Sequence, residues 1–382
     1  MRCGFCNLFT LANPSQPLER GYLCTLKLEA QVVAAALGDA QFTRMAIGGG
    51  TPTFLAVNEL HELFDLVETN FSIHPAKIPV SVETSPQTAT KEKLLVLKAR
   101  GVDRVSIGVQ SFVEAEVQAV GRSQSSEIVC KALNEIKTIG FATLNVDLIY
   151  GLPGQTEETW RGSLASALQF QPEEVYIYPL YVRSLTGLAR SVSSWDDARL
   201  RLYRIGRDVL LQAGYEQVSM RMFQLPRSAK AGAPDYCCQT DGMVGVGCGA
   251  RSYTKSLHYS GPYAVDRGRI KSLLSDYIKS TAASFAEIGY GYLLDVDDQA
   301  RRFVIQSVLQ SAGMALGEYQ TRFGDSCFAQ LPEICLMMEE GLLAITAERL
   351  HLTETGFEMS DNIGVRLYSS AVVQRMKDYE LA

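Results

Sequence analysis

The chain has 382 residues, 47% of them hydrophobic, enough for two domains and a third small one around sizeable cores. Its 36 basic and 42 acidic residues leave a net charge of −6, which argues against a nucleic-acid binder. The longest apolar runs, such as "VVAAALG" and "VIQSVL", are too short to span a bilayer, and the N-terminus lacks an export signal. A soluble cytoplasmic protein with no integral membrane segment is expected.

In chain order, residues 1–190 alternate strand and helix patterns. "TRMAIGGGTPT" predicts a strand entering a glycine-rich loop, and "AVNELHELFDLVETNF" a helix. "IPVSVETSP" is a strand, "KEKLLVLKARG" a helix stopped by Gly101, and "VDRVSIGVQSF" a strand. "SEIVCKALNEIKTIG" is a helix stopped by Gly140, and "FATLNVDLIYGLPGQ" a strand and loop. "EETWRGSLASALQF" and "EEVYIYPLYV" make the last helix and strand of the series. Repeated strand–helix units imply a parallel sheet with right-handed crossovers. The expected fold is α/β, a full or partial (β/α)6 barrel with a smaller, largely helical C-terminal region. The rhythm changes after about residue 190, so residues 191–295 form a middle α/β segment that begins with a long helix in "WDDARLRLYRIGRDVLLQAGYEQV". Residues 296–382 read as a helical domain whose hairpin-like "LLAITAERLHLT" gives it a winged-helix end.

Nine cysteines without regular spacing, in a chain with no export signal, suit reduced thiols or metal ligands better than disulfides. Cys24, Cys130, Cys327 and Cys335 sit in apolar helical patterns and are expected in the core. Cys3 and Cys6 form a C-x-x-C at the start of the chain. Gly48, Gly49 and Gly50 follow a strand, where they make either a tight turn or a close backbone approach to a ligand. Glu83, Gln110, Arg122 and Asp147 stand at or just after successive strand ends, where barrel sites form. Glu83 and Asp147 suit an ammonium or ribose hydroxyls, and Arg122 a carboxylate. The alternative is an internal network that closes the barrel. Tyr176, Tyr178 and Tyr181 either line a pocket or fill the core. His258 is expected to be a loop hydrogen-bonder, and Cys237, Cys238 and Cys248 chelate one metal poorly because neighbouring side chains diverge.

"MRCGFCNLF", "IGGGTPTFL", "VETSP", "GVDRVSIGVQSF", "VGRSQ" and "NVDLIYGLPGQTEETW" follow one another over residues 1–160. In this order they resemble the radical S-adenosylmethionine (SAM) proteins of the oxygen-independent coproporphyrinogen III oxidase and heme chaperone family. "GVGCGARSY" and "LHLTETGFEMSDNI" extend the resemblance through the C-terminal region. The resemblance implies a [4Fe–4S] cluster on a C-x-x-x-C-x-x-C motif, with one iron open to SAM, whose cleavage gives a 5′-deoxyadenosyl radical. Cys3 and Cys6 match its second and third cysteines. The first would fall two positions before Met1, so the chain is expected to start late, with an inactive or labile cluster. By the same resemblance Phe5, Gly49, Gly50, Thr51, Glu83, Gln110, Arg122 and Asp147 contact SAM. An electron donor such as flavodoxin or ferredoxin and a small-molecule substrate, porphyrin-like or a secondary metabolite, are implied, as is an oxidoreductase or methyltransferase activity.

The sequence also departs from the family. Leu8 stands where the oxidase branch has a further cysteine. "YCCQTDGMVGVGCGARSY" lacks the histidine and tryptophan of the chaperone's heme motif, and Arg251 replaces the usual histidine after Gly249 and Ala250. A radical SAM enzyme is therefore the leading expectation, and a heme-binding chaperone that keeps the fold is the alternative.

Overall fold

The structure, a computed structural model, describes residues 3–181, 197–226 and 239–378. The chain opens with an N-terminal loop and helix α1 (Gln16–Leu37), then alternates through β1 (Met45–Ile47), α2 (Val57–Phe71), β2 (Val80–Thr84), α3 (Lys91–Ala99) and β3 (Arg104–Gln110). Next come α4 (Glu114–Ala119), α5 (Ser126–Ile139), β4 (Thr143–Tyr150), α6 (Glu157–Leu168) and β5 (Glu174–Pro179). Local chemistry sets these boundaries. The Ser125 hydroxyl accepts from the Ile128 amide to start α5, and Gly140, at φ 76°, ends it as only a residue tolerant of left-handed backbone does.

β1 to β5 lie side by side in chain order, all parallel. β3 and β4 are buried along nearly their whole length, as expected for strands covered on both faces. Their core includes Phe64, Ile107, Leu133, Val146, Trp160 and Ile177. After α7 (Asp197–Gln212), β6 (Glu216–Gln217) and β7 (Met222–Gln224) complete the sheet in the order β1-β2-β3-β4-β5-β7-β6. β7 runs antiparallel to β5, so the barrel is partial, with five parallel strands and an antiparallel edge among the described residues.

A small antiparallel sheet follows, of β8 (Arg251–Tyr253), β9 (Leu257–Ser260) and β10 (Gly291–Leu293), with α8 (Arg267–Ile278) and α9 (Ala282–Phe285) inserted before β10. α8 returns to α1, where Thr25 donates to the Ile278 carbonyl at 3.2 Å and Tyr22 packs on Tyr277. The C-terminal region contains α10 (Val296–Val308), β11 (Met314–Ala315), α11 (Leu316–Phe323), α12 (Cys327–Gln330), α13 (Glu333–Glu339), β12 (Leu343–Thr346), β13 (Arg349–Leu352), α14 (Glu354–Glu358), α15 (Ser360–Arg366) and α16 (Ser370–Asp378). It has its own core around Val304, Tyr319, Ile334, Met337, Leu350 and Ile363, with a β11-β13-β12 sheet beside helices. No helix of the described residues is long and apolar enough to cross a membrane.

The core expectation for the four helical cysteines holds for Cys327, which is buried, and is corrected for the others: Cys130 is half-buried, and Cys24 and Cys335 are exposed. α1 buries Leu23, Leu26 and Ala30, and Cys24 lies one position off that stripe, so its apolar neighbours do not carry it inward. Cys237 and Cys238 lie outside the described residues.

Candidate active site at the barrel mouth

The C-terminal ends of β1 to β4 bring the predicted residues together, each by a different local device. After β1 the chain turns through Gly48–Gly50, and the Gly49 amide, at φ 99°, donates to Glu83 Oε2 at 3.3 Å. A methyl group on Gly48 would lie 2.8 Å from the Glu83 carboxyl and would push it aside. Thr51 leads into a short helical turn whose Thr53 hydroxyl bonds Thr84 and Thr88, each at 2.7 Å, tying the loop to β2. Glu83 is exposed at the mouth, yet the protein packed around its carboxyl desolvates it and raises it above the ordinary value, partly offset by the Gly49 amide and by Arg104.

β3 ends in an irregularity where its register against β4 shifts between Gly108 and Gln110. Gln110 adopts φ 72°, unusual for a side-chain-bearing residue, and folds its amide back over Gly108. Arg122 holds this kink by donating to the Gly108 carbonyl and, at 2.7 Å, to Gln124. Its Nη1 also lies 3.6 Å from Cys3 Sγ. The cysteine loop is pinned by the Gly4 amide donating to the Val120 carbonyl at 2.7 Å and by Cys6 N donating to Cys3 O at 3.1 Å. Phe5, between the cysteines, packs with Tyr178 on Val120, Ile149, Leu152 and Leu180.

Asp147 on β4 accepts from Asn145 at 2.8 Å and from Ser106 at 3.2 Å. Enclosure pushes its carboxyl up to about 6, with those hydrogen bonds and Arg104 opposing. The buried Asn145 Oδ1 beside it has no partner in the protein. Sequence reasoning missed Asn145 and Ser106, although Asn145 is two residues before Asp147 and so on the same strand face. It also missed Arg104, which donates to Glu174 at 2.8 Å and to Ser81 at 2.9 Å below the mouth.

Tyr176 and Tyr178 stack at 5.8 Å, with Tyr178 facing Arg221. Arg221 also donates to Tyr181 at 2.6 Å and pairs with Asp361 of α15, which ties the barrel to the C-terminal domain. No sequence signal marked that junction. His258 lies on β9, not in a loop, edge-on to Tyr253. Burial and the nearby Arg302 lower its imidazole to about 4, which keeps it neutral.

The residue types present suit SAM: a glycine turn whose Gly49 amide meets the Glu83 carboxylate, a second carboxylate on Asp147 close enough to feel the charge of Glu83, and an arginine beside Cys3. For a cluster the chain supplies two thiolates, Cys3 and Cys6. Among the described residues no group of three His, Cys, Asp or Glu ligand atoms within 4.8 Å of one another includes them; Asp295, Asp297 and Asp298 form the one such group.

The radical SAM superfamily matches residues 1–167, and the HemN C-terminal domain matches residues 294–358. The oxygen-independent coproporphyrinogen III oxidase of Pseudomonas aeruginosa is 27% identical over 93% of this chain and 80% of that protein. The heme chaperone HemW of Bacillus subtilis is 26% identical over 93% of this chain and 92% of that protein. In fold, the chain is similar to the solved coproporphyrinogen III oxidase HemN of Escherichia coli. The TM-score is 0.82 at 23% identity, covering 96% of this chain and 87% of that one. The chain carries a radical SAM domain and a HemN C-terminal domain, and along most of its length it is similar to oxygen-independent coproporphyrinogen III oxidases and heme chaperones.

Proposed function

We propose that the chain is a radical SAM enzyme that binds SAM in the barrel mouth and acts on a small molecule. The observation that carries this is that the glycine loop meets Glu83, Glu83 lies near Asp147, and Arg122 lies beside Cys3. When bound, a [4Fe–4S] cluster supplies the electron that splits SAM into methionine and a 5′-deoxyadenosyl radical. Cys3 and Cys6 would hold two of its irons. Glu83 accepts the SAM ammonium, while Gly49, Gly50 and Thr51 line the methionine portion. Arg122 takes the methionine carboxylate. Asp147 accepts from ribose hydroxyls, Gln110 adds a donor, and the Phe5 backbone closes on the other side. A cytoplasmic flavodoxin- or ferredoxin-like protein is the fitting electron donor.

Anaerobic reconstitution followed by quantification of 5′-deoxyadenosine tests the enzyme, and equilibrium dialysis of SAM tests the cradle. Glu83→Ala and Asp147→Ala should each weaken SAM binding at least about tenfold without unfolding the barrel. No 5′-deoxyadenosine from a loaded cluster, or a collapsed fold with SAM affinity intact, would count against the proposal. The heme chaperone alternative has a counterpart in HemW. Against it, the only described histidine near the "GVGCGARSY" segment is His258, packed edge-on to Tyr253. A Soret titration is expected not to saturate at one heme per chain.

A further inference from the structure

Charge pairs tie the C-terminal domain to the barrel on two levels. On the outside, Arg204 of α7 meets Glu358 of α14 and Arg207 meets Glu354, each at 2.7 Å. Each of these pairs has one partner largely in solvent, where an ion pair holds weakly. On the inside, Arg221 pairs with Asp361 of α15 and donates to the Tyr181 hydroxyl at 2.6 Å, and that hydroxyl bonds Asp361 in turn. Both charges are half-buried, so bulk salt reaches this pair only in part. A backbone bond from the Ser311 amide to the Val218 carbonyl, at 2.8 Å, joins the same two parts of the molecule.

Arg221 is fixed at its base and placed at its tip. Its carbonyl accepts from the Ile177 amide of β5 at 2.9 Å, which holds its backbone and leaves only the side chain to be positioned. The guanidinium lies over the rings of Tyr178 and Tyr181, 5.9 and 5.5 Å from their centroids. Its Nε is buried without a partner, which makes this placement costly by itself. Asp361 and Tyr181 therefore keep it there. Tyr178 carries the contact onward: its ring stacks on Tyr176 and packs with Phe5 against Val120, Ile149, Leu152 and Leu180. Phe5 stands between Cys3 and Cys6, and the Val120 carbonyl also takes the Gly4 amide at 2.7 Å. The side-chain anchor and the backbone anchor of the cysteine loop thus share one small apolar cluster, and Arg221 lies on the Tyr178 ring of that cluster.

We propose that Asp361 and Arg221 are positioning residues for the cysteine loop. Docking of the C-terminal domain places Arg221 on Tyr178, Tyr178 holds Phe5, and the domain thereby sets how firmly Cys3 and Cys6 are presented at the barrel mouth. That this loop serves a cluster rests on the radical SAM function proposed above; the latch itself does not.

The test uses the full chain without iron and times iodoacetamide alkylation of each cysteine by peptide mass spectrometry. Cys24, exposed on α1, is the internal reference. Asp361→Asn removes the charge and keeps the size, and it should raise the Cys3 and Cys6 rates relative to Cys24 at least about threefold. Tyr178→Leu should do the same, and the double variant should gain nothing over either, because both act through one contact. Salt at about 1 M should bring the parent toward Asp361→Asn and leave that variant unmoved. Arg204→Gln, at the outer pair, should keep the parent's rates. Rates that stay at the parent value in Asp361→Asn, rise equally at Cys24, multiply in the double variant or rise as much in Arg204→Gln overturn the proposal. Should Cys327, buried in the C-terminal core, become reactive in Asp361→Asn, that domain has unfolded and the salt series on the parent decides; rates that ignore salt then overturn the proposal. If the loop responds as expected but the loaded parent yields no 5′-deoxyadenosine, the radical function fails and the latch stands. If 5′-deoxyadenosine forms while the loop ignores Asp361, the latch fails and the function stands.

Discussion

The two ends of the parallel sheet treat charge in opposite ways. At the base, Arg104 and Glu174 are buried together, and Ser81 takes a further N–H of the guanidinium. At the mouth, two residues further along β2 and on the same face, the exposed Glu83 has one backbone amide at 3.3 Å; Asp147, half-buried, has only neutral hydrogen-bond donors. Both acids are pushed up by desolvation. The base spends its charges on each other and so holds the strands together. The mouth keeps acids that the fold alone does not satisfy, which is what a cationic ligand requires.

Breaking the base should give the largest effect. Arg104→Ala strands the Glu174 carboxylate in the core and should cost about 3–5 kcal/mol in urea unfolding. SAM affinity measured well below the transition should hold. Replacing both partners, Arg104→Met with Glu174→Leu, should restore most of the loss. A single variant that costs under about 1 kcal/mol would erase the contrast between the two ends.

Asp147→Asn should act in the reverse direction. The folded carboxyl titrates near 6, above the ordinary 3.8, so folding disfavours its ionised form. That penalty is absent below the unfolded value, grows as pH rises and is complete above about 6. The variant should therefore be more stable than the parent by roughly 1–3 kcal/mol at pH 7.5, with the gain vanishing toward pH 3.5. It should also bind SAM more weakly, and SAM affinity of the parent should strengthen as pH rises through 6. Urea series at the two pH values, paired with dialysis, check both. A variant that is less stable at pH 7.5 would mean that Asp147 belongs to the structural network.

The smallest change in stability is expected at Gly48→Ala. Its Cβ would press on the Glu83 carboxyl at 2.8 Å and displace it, but the loop is exposed, so the cost should stay near 0.5 kcal/mol. SAM affinity should nevertheless fall about tenfold. Unchanged affinity would show that the position of Glu83 is not critical.

Much of this was legible in the residues themselves. The strand–helix alternation, the helix stops at Gly101 and Gly140, and the placing of Glu83 and Gln110 at strand ends depend on signals spanning a few neighbours, whereas Asp147 lies in the middle of β4. The glycine loop and the C-x-x-C pair likewise announce themselves by local composition. Faces at the margin of an apolar stripe were not legible, and Cys24 shows it: the helical period was right, but one position decided exposure.

Tertiary structure alone decided which partners meet. Ser106 reaches Asp147 across 41 residues and Arg104 reaches Glu174 across 70, because strand register aligns them. Arg221, Tyr181 and Asp361 come together only when the C-terminal domain docks on the barrel. Backbone propensity and periodicity act over one or two turns, whereas burial, pairing and the charge left unpaired are properties of packed surfaces, fixed only when distant segments are brought into register.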